Sequence, residues 1–145
     1  MTAVSLLRKL SLVVVASVAL PWAIPTVLGK DEPHPIAAQV KADLKDPAKP
    51  FTLIIRLQVK DGMQSKFEAA FAKASKETHK EKGCIAYDLS RDTKDGTRYV
   101  VYERWKNLAA LDAHLKTAYI TTLLAELKEF LAAAPEVNVL LPAGE

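Results

Sequence analysis

The stretch Tyr99-Val100-Val101-Tyr102-Glu103-Arg104-Trp105 decides the fold of this chain. Its residues divide by parity. Tyr99, Val101, Glu103 and Trp105 fall on one face of an extended strand, and Val100, Tyr102 and Arg104 fall on the other. Just upstream, Asp95-Gly96 is a dipeptide that tolerates the positive φ of a tight hairpin turn. Before it, Cys84 to Asp92 alternates in the same way, so the two segments are predicted to pair antiparallel. Working further upstream, Leu53, Ile55, Leu57 and Val59 share one face of a first strand, and Thr52, Ile54, Arg56 and Gln58 share its other face. Asp61-Gly62 ends that strand. Met63, Phe67, Ala70, Phe71, Ala74 and Thr78 then recur at spacings of three and four, the apolar stripe of an amphipathic helix, with Gly83 as its stop signal.

Downstream of Trp105, Leu108, Leu111 and Leu115 mark a short helix. Ile120, Leu123, Leu124, Leu127, Phe130 and Leu131 mark a longer one, which Pro135 closes. Val137 to Leu141 reads as a last strand. The order strand, helix, strand, strand, helices, strand is the α+β, ferredoxin-like split βαβ arrangement, with an antiparallel sheet covered by helices on one face. The uncovered face carries Ile54 among polar residues, and a domain of this size that buries one sheet face gains stability from a second copy. A homodimer is therefore expected.

The chain has 145 residues, half of them apolar and 26% charged, which is the composition of an ordinary globular domain. Lysines and acids are interspersed without a one-sign run, so no nucleic-acid partner is expected. Cys84 is the one cysteine. It excludes an internal disulfide and multi-cysteine metal patterns, and a small buried filler is its plain role.

The N-terminal part divides in two. Arg8 and Lys9 precede an uncharged stretch from Leu10 to Gly29 with an apolar centre at Leu12 to Leu20, the pattern of a signal peptide, with cleavage after Gly29 or Ala19. Export to the periplasm or the exterior is the expectation. Removing residues 1–29 would take the net charge from +3 to +1, because Arg8 and Lys9 leave and all acidic residues lie downstream. An uncleaved membrane anchor over residues 10–29 is the alternative, against which Pro21 and Pro25 count. Residues 30–50 carry Pro33, Pro35, Pro47 and Pro50 among mixed charges and read as a linker, with a helical turn or two over Ile36 to Leu44 and a solvated His34. The folded domain is expected over 51–145.

Candidate chemistry gathers at the end of the decisive strand. Glu103 and Trp105 point the same way, and His114 follows on the next helix. A carboxylate, an imidazole and an aromatic wall around an apolar pocket are what is needed to orient and deprotonate a phenol, whose anion reduces dioxygen far more readily than the neutral ring does. No flavin or metal is required for that step. In this reading His114 is the general base, oriented by Glu103, and Trp105 packs on the substrate ring. Each has a plainer role open to it: Glu103 paired with a lysine, Trp105 filling the core, His114 packed on its helix. Tyr87, Tyr99 and Tyr102 fit as strand aromatics. Arg56, a cation in an apolar strand, belongs either to a dimer-interface ion pair or to the pocket. His79, among lysines near a helix end, reads as solvated.

Gly83-Cys84 before Tyr87 and Leu89, the run Tyr99 to Trp105, and Leu108-Ala109-Ala110-Leu111-Asp112-Ala113-His114-Leu115 together resemble the antibiotic biosynthesis monooxygenase family, in its quinol monooxygenase branch. The resemblance covers most of residues 51–141. It implies a dimeric α/β barrel with a pocket between sheet and helices, a small aromatic substrate with dioxygen, and catalysis without a cofactor. It implies catalytic roles for His114 and Glu103 and substrate contacts for Trp105, Tyr119, Tyr87 and Arg56. The position that often holds a second histidine in the family falls at or near Tyr119 here. Two other functions come with the resemblance. One is a non-catalytic dimer that binds a small ligand. The other is haem binding or degradation, whose chemistry typically uses a first-strand asparagine; Thr52 to Val59 contains none.

Overall fold

The computed structural model describes residues 33–143. The leader and anchor readings of residues 1–29 lie outside the described residues. Eight elements follow one another: α1 Pro35–Asp43, β1 Phe51–Gln58, α2 Gln64–Thr78, β2 Cys84–Arg91, β3 Arg98–Trp105, α3 Leu108–Leu115, α4 Ala118–Phe130 and β4 Glu136–Leu140. The four strands form one sheet in the order β2-β3-β1-β4, and every neighbouring pair is antiparallel. This is the expected α+β, ferredoxin-like arrangement. Within the one chain the sheet is open, so the barrel implied by the resemblance needs a second copy.

Parity assigns the two sheet faces as the sequence reading has it. On β3, Tyr99, Val101, Glu103 and Trp105 are buried, while Arg98, Tyr102 and Arg104 are exposed. On β1, Phe51, Leu53 and Leu57 are buried beneath the helices and Arg56 is exposed. The stripe of α2 buries Phe67, Phe71, Ala74 and Thr78 against the same layer. Phe71 stacks on Tyr87 at 5.1 Å, and Phe67 meets Tyr99 edge-on at 5.0 Å, both favourable aromatic geometries. The core is thus an aromatic layer between the inner sheet face and α2 to α4.

Three local expectations are corrected. First, the link from β2 to β3 is a longer loop, not a tight hairpin on Asp95-Gly96. Asp92 accepts from the backbone N–H of Lys94 and Asp95, and Asp95 accepts from that of Thr97, so aspartate side chains build the turn. Gly96 keeps an ordinary φ; among the described residues the positive-φ glycine is Gly62, at +79° after Asp61. Second, Gly83 does not stop α2, which ends at Thr78. Its role is close approach: a Cβ there would lie 2.3 Å from the Ala110 Cβ.

Third, residues 34–47, expected within a linker, pack against the domain. α1 spans nine residues and buries Ala37 and Val40. Pro35 fits the first helical turn, where its missing N–H costs nothing, and His34 is the N-cap, its ring accepting from the Ile36 N–H at 3.2 Å. His34 is buried, not solvated, and its own N–H donates to Asp112 on α3 at 2.8 Å. The Pro47 carbonyl then accepts from the Leu108 N–H at 2.9 Å. Prolines that rule out a long helix are compatible with a short one they help to start.

Candidate functional site

Three chain segments converge at one end of the aromatic layer: the turn after α2, the end of β3, and the α3–α4 corner. The Lys106 N–H donates to the Gly83 carbonyl at 3.0 Å, which holds the turn beside the end of β3. Asn107 caps α3 by accepting from the Ala110 N–H at 2.9 Å, and Thr117 donates its hydroxyl to the His114 carbonyl at 2.8 Å as the chain turns into α4. His114 therefore stands in the last turn of a short helix fixed at both ends.

Its ring is packed among aromatics. Trp105 lies 4.5 Å from it between centroids, Tyr87 at 5.3 Å and Tyr119 at 6.5 Å. The residues expected from the sequence are thus brought together, Arg56 excepted. The carboxylate that holds the imidazole is not Glu103, however. Nδ1 of His114 contacts Oε1 of Glu81 at 2.7 Å, and the Tyr119 hydroxyl donates to that same oxygen. Glu103 instead accepts from the Trp105 indole N–H at 2.9 Å. The spacing of two residues along β3 explains this: side chains at 103 and 105 are same-face neighbours, and the Trp105 N–H needs an acceptor once the ring is buried.

The electrostatics follow from burial. With a carboxylate on Nδ1, that nitrogen carries the proton and Nε2 keeps its lone pair. Burial holds His114 below its ordinary range, opposed by the hydrogen bond and charge of Glu81, so the ring is neutral at pH 7. Glu103 is pushed up to about 7 by burial; the Trp105 N–H opposes that rise and the Glu81 charge adds to it. Burial, then the Glu81 hydrogen bond, pushes Tyr119 up to about 12, and burial pushes Tyr87 well above its usual range. Cys84 is pushed up to about 11 by burial and by Glu81 and Glu103, which keeps it a thiol.

Arg56 stands on the opposite, open face of the sheet. Its guanidinium donates to the Asn138 side chain of β4, so it takes no part in the His114 cluster. It lines a shallow concavity of about 590 Å³ with Gln58, Arg98 and Glu136. A second concavity, of about 520 Å³, runs between α2 and α4 and includes Tyr119. His114 lines neither. Among the described residues no three His, Cys, Asp or Glu side chains are grouped to hold a metal ion. Glu81 is the functional residue that sequence reasoning missed. It stands between Lys80 and Lys82, a setting that signals a solvated surface, and its partners lie 33 and 38 positions later.

Comparison with known proteins places the fold in a family. The sequence profile described as antibiotic biosynthesis monooxygenase matches residues 50–135. The Mycobacterium tuberculosis protein Rv0793, whose name proposes a monooxygenase, is 30% identical over 96 residues, 66% of this chain and 94% of that protein. Its solved structure superposes with a TM-score of 0.62 over 67% of this chain and 98% of that one, at 29% identity. An uncharacterised protein of Synechocystis is 27% identical over 107 residues, 74% of this chain and 71% of the relative. A Caulobacter crescentus structure described as a candidate antibiotic biosynthesis monooxygenase gives a TM-score of 0.63 at 26% identity, over 68% and 93% of the two chains.

Proposed function

The chain belongs to the antibiotic biosynthesis monooxygenase family, and from that premise we propose that it is an exported, cofactor-independent monooxygenase of a small quinol or other phenol. The observation that carries this reading is the His114–Glu81 pair. A buried imidazole with a carboxylate on Nδ1 has its tautomer fixed and presents Nε2 as a base. His114 takes the phenolic proton, Glu81 orients the ring and balances the charge it gains, and Trp105 and Tyr87 supply aromatic walls. The phenolate gives one electron to dioxygen, the two radicals combine as a peroxide that takes the proton back from His114, and loss of water, with the hydrogen of the oxygenated ring carbon, leaves one oxygen on the substrate as a carbonyl. The surrounding apolar layer keeps bulk water from those intermediates.

Oxygen uptake by the purified protein on a panel of hydroquinones tests it. Uptake is expected to fall by about 10²-fold or more in His114→Ala, and to grow with pH until the ring is neutral. Uptake no greater than autoxidation in the wild type would overturn the reading. It would leave the second one, a non-catalytic module for a small ligand, which is favoured by the absence of His114 from both concavities.

Two further parts of the proposal rest on separate observations. A homodimer through the open sheet face is supported by exposed Tyr102 and Leu140, with Ile54 in register with Tyr102; sedimentation velocity at micromolar concentration checks it. Export rests on the apolar stretch after Arg8 and Lys9, and the mature N-terminus by mass spectrometry decides between cleavage and an anchor.

A further inference from the structure

The concavity between α2 and α4 has a chemistry of its own. The two helices run antiparallel here: Phe67 meets Phe130 at 6.3 Å at one end, and the start of α4 stands beside the turn after α2 at the other, where Tyr119 reaches Glu81. Buried Ala74 and Leu123 belong to its apolar floor. The α2 wall carries Lys66 and Lys73, seven residues apart and so on one helix face, roughly 10 Å from each other along the axis. Both are exposed, and neither makes an ion pair among the described residues. A volume of about 520 Å³ is in the range of small-ligand sites.

One end of this groove leads to the candidate site. Tyr119 lines it, and the Tyr119 hydroxyl shares Oε1 of Glu81 with the His114 ring. Whatever displaces that hydroxyl changes the hydrogen bonding of the carboxylate that holds His114. The groove therefore offers an apolar floor for a ring, two unpaired cations along the α2 wall against one carboxylate, Glu126, on the α4 wall, and a phenol at the end nearest the base.

We infer that the α2–α4 groove is a binding site for a carboxylated phenol beside the His114 cluster, with the anionic group at Lys66 and Lys73 and the hydroxyl end toward Tyr119. The hydroxyl end of this assignment rests on the phenolic reading above; the anionic end rests on the lysines alone. An uncharged hydroquinone offers Lys66 and Lys73 hydroxyl acceptors but no charge, so the groove separates two otherwise similar ring systems by charge.

The test uses the full chain, with 2,5-dihydroxybenzoate and hydroquinone as probes, in calorimetric titration and by NMR of the His114 ring. The acid is expected to bind about fivefold to tenfold more tightly, the scale of two exposed charge contacts. That advantage is expected to vanish in Lys66→Glu/Lys73→Glu and to shrink as salt rises. The acid is also expected to shift the His114 ring signal in the wild type and not in Tyr119→Phe. Equal affinity for the two probes, or an unchanged preference in the double lysine variant, would overturn the inference. The two readings fail separately. Lysine-dependent binding without oxygen uptake keeps the groove and removes the oxygenase; uptake on hydroquinones that ignores the lysines does the reverse.

Discussion

The two faces of the sheet are made by the same strands and obey different rules. On the helix-covered face of β3, Tyr99, Val101, Glu103 and Trp105 are all buried, and the two polar groups at its end are bonded to each other. One residue along in each case, Arg98, Val100, Tyr102 and Arg104 face outward, and the neighbouring strand gives Arg56 an amide partner at Asn138. The inner face tolerates a carboxylate because an indole N–H is bonded to it, whereas the outer face holds cations in contact with water. The candidate chemistry is accordingly confined to one face, where burial shifts Tyr87, Tyr99, Glu103 and His114, and the other face is left open.

The comparison is broken most directly at Trp105. Trp105→Ala removes a fully buried indole and leaves Glu103 without its donor, and is expected to cost about 3–5 kcal/mol in urea unfolding. A loss under about 1 kcal/mol would mean that the inner face is not close-packed there. Next in size is Gly83→Ala, where the added methyl meets Ala110 of α3 and must push that helix away, at about 1–3 kcal/mol by thermal unfolding. Gly96→Ala, with open space around it, is the control and is expected to be near neutral.

Glu103→Gln sharpens the electrostatic half of the comparison. The folded state holds the Glu103 proton up to about pH 7, whereas an unfolded glutamate releases it near 4.5. The folded protein therefore binds the extra proton between those values, and the stability this gives is lost as pH rises through 7. The glutamine variant keeps an oxygen for the Trp105 N–H and has no charge to bury. It is expected to be more stable than the wild type at pH 8, by on the order of 1–3 kcal/mol, and to lose that advantage near pH 5.

Glu81→Gln has a smaller effect and the opposite direction in acid. His114 is already held down by burial, and Glu81 is what opposes this, so the ring should titrate lower still in NMR. With a folded value below the unfolded one, His114 favours the folded state above about 6.5 and withdraws that support as pH falls. The variant should be the more acid-sensitive protein. Smallest is Tyr102→Ser on the outer face, expected to change the stability of one chain by no more than about 0.5 kcal/mol while weakening self-association in sedimentation.

Much of the fold was legible because its rule is local. Alternation along β1 and β3 and the 3–4 spacing of Phe67, Phe71 and Ala74 name their own buried faces. His114, Trp105 and Tyr87 were legible as a cluster through the resemblance, since nothing in their spacing brings 87, 105 and 114 together. The remainder depends on contacts between distant positions. Glu81 looks solvated between two lysines until α3 and α4 fold over it. Gly83 looks like a helix stop until Ala110 is placed against it. The α1 segment looks like a tether because prolines and charges dominate its composition, whereas its packing rests on Ala37, Val40 and Leu44 at helical spacing. Parity alone puts Arg56 on the face opposite Leu57, and its partner there, Asn138, became visible only with β4 in place.

The attachment of α1 also sets how the domain carries a mechanical load. Its start is fastened to Asp112 through the His34 backbone, and the chain beyond its end to Leu108 through the Pro47 carbonyl. Tension applied ahead of residue 33 would reach the helix that bears His114 before it reached the hydrogen-bonded ladder of β1. The first structure to yield would be the α1–α3 joint, and the sheet would outlast the candidate site.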